Sequence, residues 1–141
     1  MKKEIIDMLI KTEQLRARQS DLEKIKSMVK FAQVNAKIAK NVPLNEESTT
    51  LIFREIYESI RQLGDAKWWL LGYEPRNHEV SMDILKEANI KEKILLNHLA
   101  RFKRIRNDAN YRGFRVTVTQ AQEITDFWNK CAGNIIAEIL K

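Results

Sequence analysis

Helix-breaking residues are scarce in this chain, which holds only four glycines and two prolines among 141 residues. Glycine and proline disfavour the interior of a helix more than any other residues, so long stretches without them permit long helices. Through most of these stretches apolar residues recur every three or four positions, the spacing that lines one face of an α-helix. No convincing pair of strands is visible. The pattern predicts one all-α domain over residues 1–141, an up-and-down bundle of four to six helices.

Loops and capping residues divide the chain into helices with predicted boundaries. Ser20 with Glu23, and Thr119 with Gln122, have the spacing of capping boxes, in which a side chain and a backbone amide satisfy one another at a helix start. We expect six helices: Lys2–Arg18, Asp21–Lys40, Glu46–Leu71, a short one after Asn77, Lys91–Ala109 and Gln120–Leu140.

The arrangement of these helices is also predicted. Residues 1–20 are expected to form a helical extension packed on the main bundle. Glu46–Leu71 and Lys91–Ala109 are expected to be the long antiparallel pair, and the segment 114–118 alternates like a short, solitary extended stretch. Gly64 permits either close packing or a local bend, and the sequence does not choose between them.

Composition narrows the classes of function. The formal charge of +6 and the pI of about 9.5 are compatible with a polyanionic partner, but they identify none. A single cysteine, Cys131, allows no intramolecular disulfide and no cysteine-based zinc site. Two histidines without a third ligand make a metal improbable, so no cofactor is expected. The mixed charges at the start do not fit a signal peptide, and no apolar run approaches the ~20 residues of a membrane span. We therefore expect a cytoplasmic protein without membrane contact.

The most informative stretch is the basic segment 101–115. Arg106 lies four residues after Phe102 and seven after Leu99, so it projects beside the buried stripe of its helix. Asn110 lies four residues further on and shares that face. Six cations and this amide could contact nucleic acid: Arg101, Lys103, Arg104, Arg106, Arg112 and Arg115, with Asn110.

An arginine beside a core is costly unless its guanidinium finds partners. One interpretation is an ion pair with Asp108 or Glu123 that fixes the last two helices. The other is a phosphate-binding arginine in a cleft, because the planar guanidinium matches phosphate oxygens. Residue chemistry by itself favours the ion pair.

Particular residues of the chain nevertheless resemble a known family. Arg106-Asn107, three residues, Tyr111 and then Gly113 resemble the signature near the end of HEPN domains: an arginine, a polar residue that is often asparagine, a few residues and a histidine. Upstream, Tyr57-Glu58 and the segment Gly72-Tyr73-Glu74-Pro75-Arg76-Asn77-His78 resemble the family's second helix and its following turn. The resemblance covers roughly residues 21–140 and is of the minimal prokaryotic type.

This resemblance implies a fold, an activity and a site. HEPN domains are helical bundles that often dimerise, and many are metal-independent ribonucleases or toxins, often beside a nucleotidyltransferase. Others bind nucleotides or serve as accessory domains. The family arginine contacts the scissile phosphate, the polar residue orients, and the histidine is the acid or base. Arg106 and Asn107 match these positions, but Tyr111 occupies that of the histidine, and a free tyrosine titrates near 10 rather than near 6.5.

Three hypotheses follow. The first is a HEPN-like protein that binds RNA or nucleotide phosphates, working as a homodimer, with Arg106, Asn107 and Tyr111 as catalytic residues if it is a toxin-type ribonuclease. The second is a non-catalytic interaction module, such as the partner subunit of a nucleotidyltransferase in a toxin–antitoxin pair. The third is a structural bundle whose basic patch meets an acidic protein. Tyr111 leaves open whether the chain is an enzyme.

The sequence also predicts the geometry of the cleft and of the dimer. Arg106, Asn107 and Tyr111 are expected to line one cleft with Arg112 at its rim, where Gly113 takes a positive φ and turns the chain back. The dimer interface is expected near the Arg106 helix. One reason is an aromatic surplus around Trp68 and Trp69 that one small core does not readily absorb, although such residues are more often core or dimer contacts than base-stacking platforms.

Overall fold

A computed structural model describes residues 1–141, and it confirms the predicted all-α helical bundle with six helices. Two short 3₁₀ turns, Ile84–Glu87 and Lys93–His98, separate the fourth helix from the fifth. The helices are α1 Lys3–Lys11, α2 Leu22–Asn41, α3 Thr49–Leu70, α4 His78–Asp83, α5 Leu99–Tyr111 and α6 Val118–Leu140. None of them is long and apolar enough to cross a membrane.

Five of the six helices start within about three residues of their predicted positions, whereas α5 starts at Leu99 rather than at Lys91. The capping residues of α2 and α6 differ from those predicted. The Asp21 side chain caps α2, one residue after the predicted Ser20. Thr117 and Gln120 form the capping box of α6, two residues before the predicted Thr119. The predicted capping box of α6 is therefore wrong in register, and α2 has a single aspartate cap instead of the predicted box. Aspartate caps as well as serine does, and a threonine–glutamine pair at the same spacing precedes the predicted one.

A small sheet was not predicted. The first helix ends at Lys11 rather than at Arg18, and the chain turns through Glu13, which has a φ of 62°. Residues Leu15–Ala17 (β1) then pair antiparallel with Tyr73–Pro75 (β2), and Leu15 is buried. Three-residue strands that pair across more than fifty positions leave no periodic pattern in the sequence. Residues 114–117, in contrast, form no strand.

The centre of the bundle is α3, which packs most extensively against α2 and then against α6. The predicted antiparallel pairing of α3 with the Lys91–Ala109 helix is wrong, because that stretch begins as a 3₁₀ turn and only Leu99–Tyr111 is α-helical. A row of buried small residues lets α2 take the place beside α3, since small side chains permit close approach of two helices. These residues are Ala32, Ala36 and Ala39.

The two adjacent tryptophans lie in the core. Trp68 is fully buried and Trp69 is 8% exposed. The Trp68 indole N–H donates a 2.8 Å hydrogen bond to the Val80 carbonyl, so burial leaves its one polar group satisfied. The interpretation as core residues is confirmed. Because one core absorbs both rings, the aromatic surplus no longer argues for a dimer.

Gly64 lies where α3 approaches α4 closely. A Cβ atom built on Gly64 would overlap the carbonyl oxygen of Ser81 on α4. Real Cβ atoms do not approach a backbone oxygen so closely, and the obstacle is main chain, which no rotamer change relieves. Of the two roles that the sequence left open for Gly64, close packing is the one that the structure has.

Replacing Gly64 with alanine is therefore expected to destabilise the protein by about 2 kcal/mol or more, as overpacking does, despite the higher helix propensity of alanine. Gly133 on α6 is the matched control, because a Cβ there would meet no atom within 4 Å. Gly133→Ala should be neutral or stabilise by up to about 1 kcal/mol. Urea unfolding of both variants measures the difference, and equal stability of the two would contradict the close-packing role.

Candidate functional site

Three contacts fix α4 against α3 and so place its first residue, His78. Gly64 allows the two backbones to touch, and Trp68 bonds the Val80 carbonyl. The Ser81 hydroxyl donates to the Asp65 carboxylate. Asn77 caps the helix by accepting from the Val80 N–H at 2.9 Å. His78 therefore stands on a short helix whose position is set by buried contacts rather than by a mobile loop.

An ion-pair network on α3 lies beneath this helix. Arg61 donates to Asp65 at 2.7 Å and also to the Glu58 carboxylate. Burial raises the pKa of Asp65, while Arg61 and the Ser81 hydroxyl act in the opposite direction. Glu58 and Asp65 thus form a salt-bridged acidic face on α3. Arg61 is therefore engaged by two carboxylates of its own helix, and Asp65 links that network to α4 by accepting from Ser81.

Arg106 lies half-buried on α5 at the centre of the site. Its guanidinium is 3.4 Å from Nδ1 of His78 and donates to the Asn107 side-chain oxygen at 3.2 Å. Two aromatic rings flank it, with centroids 5.7 Å away for Tyr57 and 5.8 Å away for Tyr111. Cation–π attraction at these distances orients the guanidinium without neutralising its charge.

No carboxylate pairs with Arg106, although the sequence suggested two. Glu123 pairs instead with Arg101, and Asp108 lies 3.8 Å from Arg112. The ion-pair interpretation of Arg106 is therefore wrong. The helical phase that puts Arg106 beside the core turns it toward α4, away from both acids. Its positive charge lies instead beside His78, the first residue of α4, and Arg106 does not line the surface depressions described below.

The geometry assigns a tautomer to His78. A guanidinium has only donors, so Nδ1 must accept, and the proton of the neutral ring lies on Nε2. The pKa of His78 is lowered below 6.5 by burial first, and then by the positive charges of Arg61 and Arg106. Glu58 and Asp65 oppose this shift only in part. The imidazole is neutral at neutral pH, with its Nε2–H available to a ligand.

The two tyrosines of the site differ in environment. Tyr57 is almost fully buried, and burial raises its pKa more than the neighbouring Arg106 lowers it, so it remains a phenol. Tyr111, at the end of α5, is 75% exposed. It contacts Arg106 through its ring face and makes no hydrogen bond that would activate its hydroxyl. Neither phenol is placed to act as a base at neutral pH.

The residues predicted to bind nucleic acid fall into two groups. One surface depression of about 540 Å³ brings together predicted site residues and Asp108. Gly113 closes this end of α5 with a φ of 70°, as expected, and the Asn110 side-chain oxygen is buried there without a hydrogen-bond partner. The predicted residues that line the depression are Arg104, Asn107, Tyr111 and Arg112.

The remaining predicted cations lie apart from this depression or are engaged elsewhere. Arg101 lines a separate cavity of about 200 Å³ with Glu123 and His98. Lys103 pairs with Glu79 at 2.8 Å. Arg115 lines a third depression, between the start of α3 and the start of α6. These cations therefore do not form one continuous surface with Arg106.

His78 is the site residue that the sequence analysis did not select. It lies 28 positions before Arg106, and only the docking of α4 on α3 brings the two together. The sequence signal for His78 was its position after the Gly72–Pro75 turn, but that position also fits a residue that only caps the start of a helix. His98, the other histidine, stacks on Phe102 with ring centroids 6.0 Å apart and does not reach Arg106.

No protein-family model, no curated protein and no solved structure matches this chain.

The site predicts the titration of His78. Since its folded pKa is depressed, its contribution to stability is fully present above 6.5 and is lost as the pH falls through the folded value. Arg106→Ala removes one of the two lowering charges and should raise the pKa of His78. NMR titration of the imidazole C–H signals measures this, with Lys37→Ala, an exposed lysine on α2, as the charge-matched control. An unchanged or lower pKa in Arg106→Ala would contradict the coupling.

Proposed function

We propose that this chain is a HEPN-like cytoplasmic protein that binds RNA, with Arg106 and His78 holding one phosphate between them. The observation that carries the proposal is a half-buried, orientated guanidinium that has no carboxylate partner and lies 3.4 Å from an imidazole. The sequence resemblance to HEPN domains supports the same conclusion, because Arg106 and Asn107 stand at the family's motif positions.

The preorganisation of Arg106 favours phosphate as its ligand. Two rings and the Asn107 side chain fix the guanidinium plane before any ligand arrives, so little side-chain entropy is lost on binding. A phosphodiester offers two anionic oxygens at the spacing of the guanidinium N–H groups. Arg104 and Arg112 line the adjoining depression and extend the positive surface, so that further phosphates of the same RNA strand can be contacted there.

His78, rather than Tyr111, is the proposed base of the site. A bound phosphate offsets the repulsion from Arg61 and Arg106 and so raises the pKa of His78 toward neutrality. Binding then takes up a proton. The affinity for RNA should therefore increase as the pH falls from about 7 to about 6, where an unperturbed histidine begins to be protonated.

A metal-independent cleavage fits these groups. When the Arg106 guanidinium turns from Nδ1 of His78 to the phosphate, Nδ1 of the neutral ring is free to take the proton of a ribose 2′-hydroxyl. The 2′-oxygen attacks the phosphorus, and Arg106 stabilises the added negative charge. The bond from phosphorus to the 5′-oxygen breaks, which leaves a 2′,3′-cyclic phosphate. The exposed Tyr111 phenol would donate the proton that the 5′-oxygen requires as it leaves.

The alternative function is a non-catalytic interaction module, such as the partner subunit of a nucleotidyltransferase in a toxin–antitoxin pair. One observation favours it: Tyr111 is 75% and Phe114 is 60% exposed beside the site. Exposed aromatic residues next to a positive cleft are typical of a surface that a protein covers. A homodimer formed near α5 would cover them as well, and remains a prediction.

The proposed function predicts that Arg106→Ala weakens binding of a fluorescent single-stranded RNA by about tenfold or more, as loss of a charge-assisted bidentate contact does. Arg106→Lys should bind with intermediate affinity because a point charge replaces the planar guanidinium. Fluorescence anisotropy at fixed salt measures both, and gel analysis of the RNA with chelator present detects cleavage.

Lys37→Ala is the control for loss of one positive charge away from α5. If it weakens RNA binding as much as Arg106→Ala does, the binding is diffuse electrostatic attraction and the proposed site is wrong. If wild-type protein binds no RNA, and light scattering shows a stable complex with a nucleotidyltransferase, the interaction module is the better account.

A further inference from the structure

Helix α2 has a second apolar face that nothing in the fold covers. Phe31 is 62% exposed, Val34 is 38% exposed and Ile38 is 60% exposed. Their spacing of three and four residues aligns them in one stripe along the helix. The stripe lies roughly opposite the face that packs into the core, whose residues are Ile25, Val29, Ala32, Ala36 and Ala39. One isolated apolar residue at a surface is ordinary, whereas an aligned set on an otherwise solvated face indicates an interaction surface.

A row of unpaired lysines borders this apolar stripe. Lys30 and Lys37 each precede a stripe residue by one position, so both lie about 100° to the same side of the stripe. Lys26 and Lys40 continue the row, and none of these four lysines has a carboxylate partner. Glu23 is the only acid on α2. The exposed half of the helix is therefore apolar along one line and positive along the next.

We propose that this surface of α2 binds an acidic amphipathic helix of a partner protein. The stripe from Phe31 to Ile38 spans seven residue steps, about 10 Å along the axis, which matches two turns of a partner helix. Apolar residues of the partner at i, i+3 or i+4, and i+7 would cover the stripe. Glutamates or aspartates on its flank would meet Lys30 and Lys37, the charges that the fold leaves free.

Charge argues against a second copy of this chain on this face, and geometry argues against a lipid surface. A second copy that paired α2 with α2 about a two-fold axis would bring Lys30 and Lys37 against lysines of the other copy, with only Glu23 to compensate. Only three large apolar residues would face a lipid surface. The opposite face of α2 is fixed in the core, so the helix cannot rotate to insert a wider apolar face.

This surface is independent of the proposed RNA site. Helix α2 packs mainly on α3, with a smaller contact to α6, whereas Arg106 lies on α5 and faces α4. Loss of RNA binding would therefore leave this inference standing, and loss of peptide binding would leave the RNA site standing.

The test uses the full chain and two designed helical peptides with the same leucines at i, i+3 and i+7. One peptide carries glutamates on its flank and the other lysines. The acidic peptide is expected to bind in a fluorescence anisotropy titration, and the basic one is not. Ile38→Ala should weaken binding about tenfold, as truncation of a central contact does. Ile94→Ala is the matched control, because Ile94 is 76% exposed on a different segment.

Charge reversal completes the test. The double variant Lys30→Glu with Lys37→Glu should bind the acidic peptide several-fold more weakly at low salt, and the difference should be smaller at high salt. Equal binding of both peptides, or an Ile38→Ala effect no larger than that of Ile94→Ala, would overturn the proposal. So would a dimer in sedimentation that Phe31→Ala abolishes, or binding of phosphatidylserine-containing vesicles in place of the peptide.

Discussion

The contact between Gly64 and the Ser81 carbonyl is the constraint on which the rest of the site depends. It lets the backbone of α4 touch α3, and only at that separation do Trp68 and Asp65 reach their partners on α4. These contacts have one consequence beyond stability, because α4 begins at His78. A short helix held from beneath by main-chain contact presents that imidazole to Arg106 on a helix that is distant in sequence.

The electrostatics of the site follow from how the two neighbouring arginines are partnered. Arg61 is engaged by Glu58 and Asp65 and serves the fold. Arg106 is held by rings, an amide and a neutral imidazole, none of which cancels its charge. A half-buried cation without an anion is costly to the folded protein, and a bound anion removes that cost. This difference between the two arginines is the physical reason for proposing a phosphate ligand at Arg106.

The local elements of this structure could be predicted from the sequence, whereas the contacts between distant segments could not. Apolar periodicity predicted six helices, because the residues that bury one face of a helix recur every three or four positions in the sequence. The pairing of Leu15–Ala17 with Tyr73–Pro75 and the approach of His78 to Arg106 depend on how distant segments dock, which no local pattern contains. The position of Arg106 beside the core was predicted correctly from the helical spacing, but its partner there, His78, was not predicted. Gly64 was recognised as special, and only its neighbour on α4 decides its role.

The most direct test of the account is a double-mutant cycle on RNA affinity at about pH 6, using Arg106→Ala, His78→Ala and the double variant. If both side chains hold one phosphate, each single substitution removes most of the shared contact. The second substitution then causes little further loss of RNA affinity. The predicted coupling is about 1 kcal/mol or more, within the range seen for residues of one hydrogen-bonded network. Strictly additive losses, or a His78→Ala variant that binds RNA as the wild-type protein does, would contradict a phosphate site built from these two residues.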